Sequence, residues 1–400
     1  MRLRLKIMTT NRPNKNTGKN TSAKVIKKRN PGRGLLLAVL FFSGLLIVSL
    51  ILIFMLSNKI NSMQGADTQI KLAAQGGFNC EYSEAQKLYP YGEGVVKVTN
   101  DRIAYLTLSG TEIYTVAVSY SNPQCIVYGD YVAVFDLNGY SFTLMVRDRA
   151  LYTTHTTNQI KALTVSKKGY VAIITGSDES NGDVVLYDEA GKAQYQWSSY
   201  NSGFPISCCF DSESSKLAVS TVNTSGAVIV PYVRVFSVSR GNSSLEMADS
   251  AMYSVEGNVL FMSMYYIGDK LFCFTGNSMY EVREGKLVQI NYDFSAIGYV
   301  NIVDNRLFIT YSDGVSQLNK LAVLSGSEAV IYNSEIGSKI SAVAASGKLY
   351  AISVDRRIFV FDSSASIIND FEVDEDIIRL NFIAGNKLCV VSASGVHTIT

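Results

Sequence analysis

The sequence predicts an all-β domain behind one membrane-spanning helix, and three observations carry that prediction. An uncharged run, 34–56, is long enough to cross a bilayer. From residue 80 onward, short runs rich in Val, Ile, Tyr, Phe and Thr alternate with Gly, Asn, Asp and Ser turns, and no long 3.6-residue period appears. Those runs recur as two-strand units about every forty residues. With 47% hydrophobic and 18% charged residues, the chain is too apolar to be disordered and too long for a disulfide-stapled miniprotein.

Charge is distributed very unevenly along the chain. Residues 1–33 hold eleven Lys or Arg and no Asp or Glu, whereas 34–400 hold 25 basic and 34 acidic residues. A tail this polar, with Pro13 and Pro31, is expected to be disordered. Its first role is to set topology; a second is attraction of anionic headgroups to Lys24–Arg33. No aromatic residue is interleaved in it, which speaks against a nucleic-acid partner. Gly34–Leu56 then runs for 23 residues without a charge. At about 1.5 Å per residue it reaches roughly 34 Å as a helix, enough for a ~30 Å hydrocarbon core. Lys27, Lys28, Arg29 and Arg33 precede it, so the N-terminus is expected in the cytoplasm and everything after Leu56 outside. A cleaved signal peptide fits less well, because both the apolar run and the basic lead-in are too long and no A-x-A site follows. The expected product is a single-pass protein of the cell membrane. Residues 57–79 read as a juxtamembrane linker, with a helical stretch near Asp67–Ala74 that breaks at Gly76 and Gly77.

The span 80–400 contains eight copies of a strand, a short polar turn and a second strand. They are VVKVTNDRIAYLT (95–107), QCIVYGDYVAVFD (124–136), IKALTVSKKGYVAIIT (160–175), ISCCFDSESSKLAVST (206–221), VLFMSMYYIGDKLFCFT (259–275), IGYVNIVDNRLFITYS (297–312), ISAVAASGKLYAISV (340–354) and IIRLNFIAGNKLCVVS (377–392). A second hairpin follows most copies, with the shape apolar-Tyr/Phe-Asp-x-x-Gly, clearest at Tyr187-Asp188 before Gly191 and Phe135-Asp136 before Gly139. Asp can bond its own turn backbone and Gly supplies positive φ, so Asp136, Asp188 and Asp362 read as structural. Two hairpins per repeat make a four-stranded blade, and packing blades around an axis covers faces that a lone blade leaves bare. The span therefore predicts a β-propeller of eight blades, or seven if the first and last partial units merge. The last copy stops short at Thr400, so a strand from Phe78–Leu88 is expected to join the C-terminal blade and close the ring.

Ile160–Phe236, with LTVSKKGYVAIIT, VVLYDEAGKAQYQW and DSESSKLAVST, resembles an uncharacterised bacterial family of membrane-anchored propellers, a domain of unknown function. The layout of basic tail, one span and propeller resembles it too. The resemblance implies an envelope protein and carries over no catalytic residue. The blades are also similar in a general way to quinoprotein and WD repeats. With Trp197 as the single Trp, however, the chain has neither repeated docking tryptophans nor a Trp-Asp dipeptide.

The residues offer little for catalysis. Cys80, Cys125, Cys208, Cys209, Cys273 and Cys389 show no C-x-x-C spacing, and His155 and His397 are too far apart for H-E-x-x-H, so no metal site and no cofactor are expected. The cysteines read as small buried hydrophobes, with Cys80–Cys389 the one pair that ring closure could bring together. Ser177–Asp183 is acidic and sits at a hairpin tip, but it lacks the spacing and terminal Glu of a calcium loop. It reads as a solvated loop, as does Asp374-Glu375-Asp376. Both histidines read as structural. Neither G-x-S-x-G nor a phosphate loop appears.

Two irregular loops break the repeat, Gly176–Asp183 and the insertion VNTSGAVIVPYVR (222–234). Long loops on a rigid scaffold often carry binding. Trp197, Tyr200, Phe204 and Tyr232 stand nearby as candidate partner-binding residues, the competing role being inter-blade core. The expected function is a non-catalytic binding scaffold at the bacterial cell envelope with an envelope protein as partner. The alternatives are a wall-directed hydrolase with carboxylates at the propeller mouth, and a ligand sensor signalling across the membrane.

Overall fold

The computed structural model describes residues 71–399 apart from 73–75, 81–82, 84, 148, 243, 293, 304, 315–317, 326–327, 333–337, 364–365 and 384–385. The basic tail 1–33, the apolar run 34–56 and residues 57–70 of the linker lie outside the described residues. Among the described residues, no helix is long and apolar enough to cross a membrane.

The described strands form eight sheets around a common centre: six have four consecutive antiparallel strands, and the last two each add a strand from the N-terminal side, which makes one of them five-stranded. The first strands of blades one to eight are Gln86–Tyr91, Pro123–Tyr128, Ile160–Val165, Phe204–Phe210, Ser263–Ile267, Ala296–Val303, Ile340–Ser346 and Ile377–Ile383. The ring is an eight-bladed β-propeller. Seven of the eight quoted repeat copies are the first and second strands of a blade. The copy at 95–107 is out of phase: Gly94–Thr99 and Arg102–Thr107 are the second and third strands of blade one. The innermost strand, Gln86–Tyr91, precedes them, and its Pro90 and polar Gln-Lys start hide it from the pattern.

Closure is made by fewer residues than expected. Gly77–Asn79 alone completes blade eight, pairing antiparallel as Gly77↔His397, Phe78↔Val396 and Asn79↔Gly395. The amide of Cys80 then donates to the Ser394 carbonyl at 2.8 Å. The chain is so close here that only glycine fits. At Gly77, with φ +123°, a Cβ would lie 1.9 Å from the Val396 carbonyl oxygen. A Cβ on Gly395 would lie 2.3 Å from the Phe78 carbonyl oxygen. The helical stretch expected near Asp67–Ala74 is not formed at Lys71–Leu72. That pair is a strand, lying parallel to Ile367–Glu372 on the outer edge of blade seven. An exposed sheet edge offers unpaired backbone groups, and pairing with them satisfies the incoming chain.

Each blade buries both faces, so its middle strands read as continuous apolar runs. Val171–Thr175 is buried throughout. The cores lie between blades: Ala172, Ile174, Val184 and Leu186 of blade three meet Leu217, Val219 and Phe236 of blade four. Each Val, Leu, Ile or Phe among them contributes about 1.5–3 kcal/mol on burial.

The turn aspartates act as expected with one correction. Asp188 Oδ1 accepts from the amides of Ala190 and Lys192 at 3.0 and 2.9 Å, and Asp362 Oδ1 from Ser366 at 3.0 Å. Asp136 instead reaches back to the amides of Ser121 and Asn122 at 2.9 and 2.6 Å, fastening the connection from blade one. Asp211, within DSESSK, makes a third such turn by accepting from Ser215 and Lys216 at 2.7 and 2.8 Å.

Candidate functional site

Among the described residues, the irregular rim at blades three to five and the central channel both present surface that a ligand could reach. On the rim, the loop from blade three to four carries Tyr200, and Phe204 starts the first strand of blade four. Phe204 pairs with Val222 on the second strand, whose far end leads into the insertion. The amide nitrogen of the Asn223 side chain donates to the Asn201 carbonyl at 3.2 Å, joining the insertion to that loop. Exposed apolar groups stand on these linked segments: Tyr200 is 63% exposed, Phe204 48%, Val228 56% and Ile229 40%. Leu260 and Met262, also exposed, extend this set towards blade five. They flank Phe261, whose carbonyl accepts from the Ser220 hydroxyl of blade four at 2.9 Å.

The four candidates from the sequence are thus divided. Tyr200 and Phe204 face solvent. Tyr232 is half-buried in the third strand of blade four, opposite Thr221 and Ser254. Trp197 is half-buried between blades three and four, 5.4 Å from the Phe236 ring, with the Arg234 guanidinium 5.4 Å from its own centroid. Val228 and Ile229 lie within the quoted insertion, but their exposure has no sequence signal: an apolar pair in a strand-rich chain reads equally as core.

The channel is a cavity of about 1060 Å³ at the end where first and second strands turn, lined from all eight blades. Tyr89 and Tyr299, Asn301 and Asn381, Ser341 and Arg379 lie along its wall, and Lys167 and Glu213 at its mouth. Arg379 of blade eight lies with its guanidinium 4.2 Å from the centroid of the Tyr89 ring on blade one. Tyr299, 40% exposed, opens onto the channel. Burial pushes its phenol up, against a hydrogen bond from Asn301 at 2.7 Å and the charge of Arg379. Glu213 is the one carboxylate among the described residues that line this cavity. No local pattern announces the channel, because its residues come from strands roughly forty positions apart.

The remaining chemistry-bearing residues are accounted for locally. His155 Nδ1 is 2.7 Å from the Ser141 hydroxyl and His397 Nε2 is 3.0 Å from that of Ser392. Ser392 is buried, so it is no accessible nucleophile. The carboxylate of Glu375 lies beside it and accepts from the Ser394 amide at 3.0 Å. Hydrogen bonds from Ser394 and Ser392 hold its carboxyl below the usual range. All six cysteines are free thiols; Cys80 packs against the closure cluster that contains Cys389. In Ser177–Asp183, the Ser180 hydroxyl donates to Asp183 at 3.0 Å. Among the described residues, no group of three His, Cys, Asp or Glu could hold a metal ion.

The architecture recurs in solved structures at low identity. AztD of Citrobacter koseri is 9% identical with a TM-score of 0.51, covering 75% of this chain and 88% of its own, and shows the shared fold. BamB of Moraxella catarrhalis is 9% identical with a TM-score of 0.49, covering 82% of this chain and 99% of its own. A streptogramin B lyase is 11% identical with a TM-score of 0.47, covering 71% and 95%. No curated protein matches the chain in sequence. Residues 71–400, the whole propeller, match one family, and the chain belongs to it: the family of unknown function DUF5711.

Proposed function

We propose that the protein is a membrane-anchored, extracytoplasmic binding scaffold of the bacterial cell envelope, which docks a protein partner on the rim of blades three to five. The observation that carries this reading is the exposure of Tyr200, Phe204, Val228 and Ile229 on linked segments at the rim of blade four. Apolar aromatic and aliphatic groups bordered by amides, here Asn201 and Asn223, have the make-up of a protein interface: a desolvated centre and a polar rim. The flat spread of the patch, over two inter-blade loops and an insertion, suits a macromolecule better than a small ligand. The anchor rests on the 23-residue uncharged run behind eleven basic residues. The hydrolase reading gains nothing from the cavity, where general acid and base would both fall to Glu213.

The test is in-cell photo-crosslinking of the full-length chain, with the probe placed at 200, 204 or 229 and, as control, at the exposed turn residue Lys348. The same envelope protein should be captured from all three rim positions and not from the control. The Tyr200→Ser/Phe204→Ser/Ile229→Ser variant should lose it while Trp197 emission and melting stay unchanged. Equal capture from the control, or capture that survives the triple variant, overturns the rim assignment. Topology is read separately: protease added outside intact spheroplasts should remove a C-terminal tag and spare an N-terminal one. The reverse outcome overturns the anchor.

A further inference from the structure

The channel carries a signal independent of the rim. Between residues 71 and 400 the chain is acidic, with 24 basic and 33 acidic residues. Yet the eight innermost strands hold three charged residues, Lys87, Lys161 and Arg379, and all three are cations. An acidic protein has thus kept carboxylates off the strands that surround its axis. Arg379 extends from blade eight over the Tyr89 ring, and both it and Lys87 act electrostatically on the Cys125 thiol of blade two, so their charges converge on one part of the wall. Of the three, Arg379 lines the cavity itself, where with Lys167 and against the single carboxylate Glu213 it leaves the wall net positive, a potential that low-dielectric walls focus.

Apart from Lys167 and Glu213 at the mouth, the rest of the wall is uncharged, and its polar groups form hydrogen bonds. Asn301 and Asn381 offer amides, Ser341 a hydroxyl, and Tyr299 a phenol already oriented by Asn301 at 2.7 Å. Amides and phenols both donate and accept, which is what a ring of hydroxyl groups requires. Tyrosine rings supply flat apolar faces for the C–H side of such a ring. The volume of about 1060 Å³ is at the upper end for a small-molecule site. We propose that the channel binds an anionic sugar, a hydroxylated ring bearing one carboxylate or phosphate, with Arg379 taking the anion and Asn301, Tyr299 and Asn381 the hydroxyls. The guanidinium fits either anion through paired N–H donors, so charge and hydroxyls together define the ligand.

The experiment is calorimetric titration of the full-length chain in detergent with four probes: glucuronate, glucose 6-phosphate, neutral glucose and inorganic phosphate. At least one anionic sugar should bind about tenfold or more tightly than glucose, the worth of one charge-assisted hydrogen bond. Which anion wins separates the carboxylate source from the phosphate source. Arg379→Gln should bring the anionic sugars down to the level of glucose, and Arg379→Lys should fall between. Equal binding of glucose and both anionic sugars overturns the proposal. So does inorganic phosphate matching glucose 6-phosphate, a preference that survives Arg379→Gln, or no binding of any probe at millimolar concentration. Should Arg379→Gln unfold, as read by Trp197 emission, Asn301→Ala supplies the second arm. It should weaken the anionic sugar severalfold and leave the melting temperature in place, and unchanged affinity there also overturns the assignment.

Discussion

Phe236→Ala is the sharpest test of how the blades are held together. Phe236 is fully buried in the third strand of blade four and packs against blade three. Its ring centroid is 5.4 Å from that of Trp197. Truncating a buried Phe removes its transfer free energy and leaves a void that a β-sheet cannot collapse, costing about 3–5 kcal/mol. For the 71–400 ring, with an unfolding entropy of about 2.1 cal/mol/K per residue, that lowers the melting temperature by roughly 4–7 °C. The assay has a built-in reporter. Trp197 is the only tryptophan, so its emission reads the interface between blades three and four alone. The variant should melt lower, and its native emission should move to longer wavelength as water reaches the indole. Ser239→Ala, at an exposed position of the same strand, should change stability by no more than about 0.5 kcal/mol. An unchanged melting temperature in Phe236→Ala would refute the claim that inter-blade packing, rather than the hairpins themselves, stabilises the ring.

Three further outcomes are expected. Gly77→Val should abolish closure, because its side chain would overlap the Val396 carbonyl; limited proteolysis should then cut between blades eight and one, whereas an intact ring would sink this account of closure. Asp211→Ala strands the amides of Ser215 and Lys216 and should cost about 1–3 kcal/mol by thermal melting, while Asp376→Ala, in an exposed pair with Arg356, should cost under about 1 kcal/mol; equal losses would contradict the reading. Burial pushes the thiols of Cys125, Cys208 and Cys389 up to about 12, so at about pH 8 iodoacetamide should label them only after unfolding. Because these folded-state values exceed the ~8.5 of an unfolded thiol, the associated stability is intact below about 8.5 and declines as pH rises towards 12. A urea midpoint that rises over that range would contradict the sign.

The contrast between Trp197 and Tyr200 shows how far side-chain type alone can reach. Both are aromatic and three residues apart, yet one fills a blade interface and the other faces solvent. An aromatic residue is equally suited to either place, and what decides is whether a neighbouring blade arrives to cover it. Gln86–Tyr91 makes the same point for strands. Its pattern is weak because one edge faces the channel, where packing does not demand an alternation of apolar residues.

Legible in the residues were the all-β class, the repeat of about forty residues, the turn chemistry and the need for an N-terminal strand to finish the last blade, while seven or eight blades stayed open until the ring was seen. These are local properties, set by strand propensity, by the backbone freedom of Gly and Asn, and by the short reach of an Asp side chain. Tertiary structure alone decided which strand starts blade one and that Gly77–Asn79 suffices for closure. It also decided which aromatics remain exposed, and that Arg379 meets Tyr89 across nearly three hundred residues of chain. Those outcomes depend on which distant segments come to share a blade interface or the ring axis. Closing the ring sets that, and no window of sequence contains it.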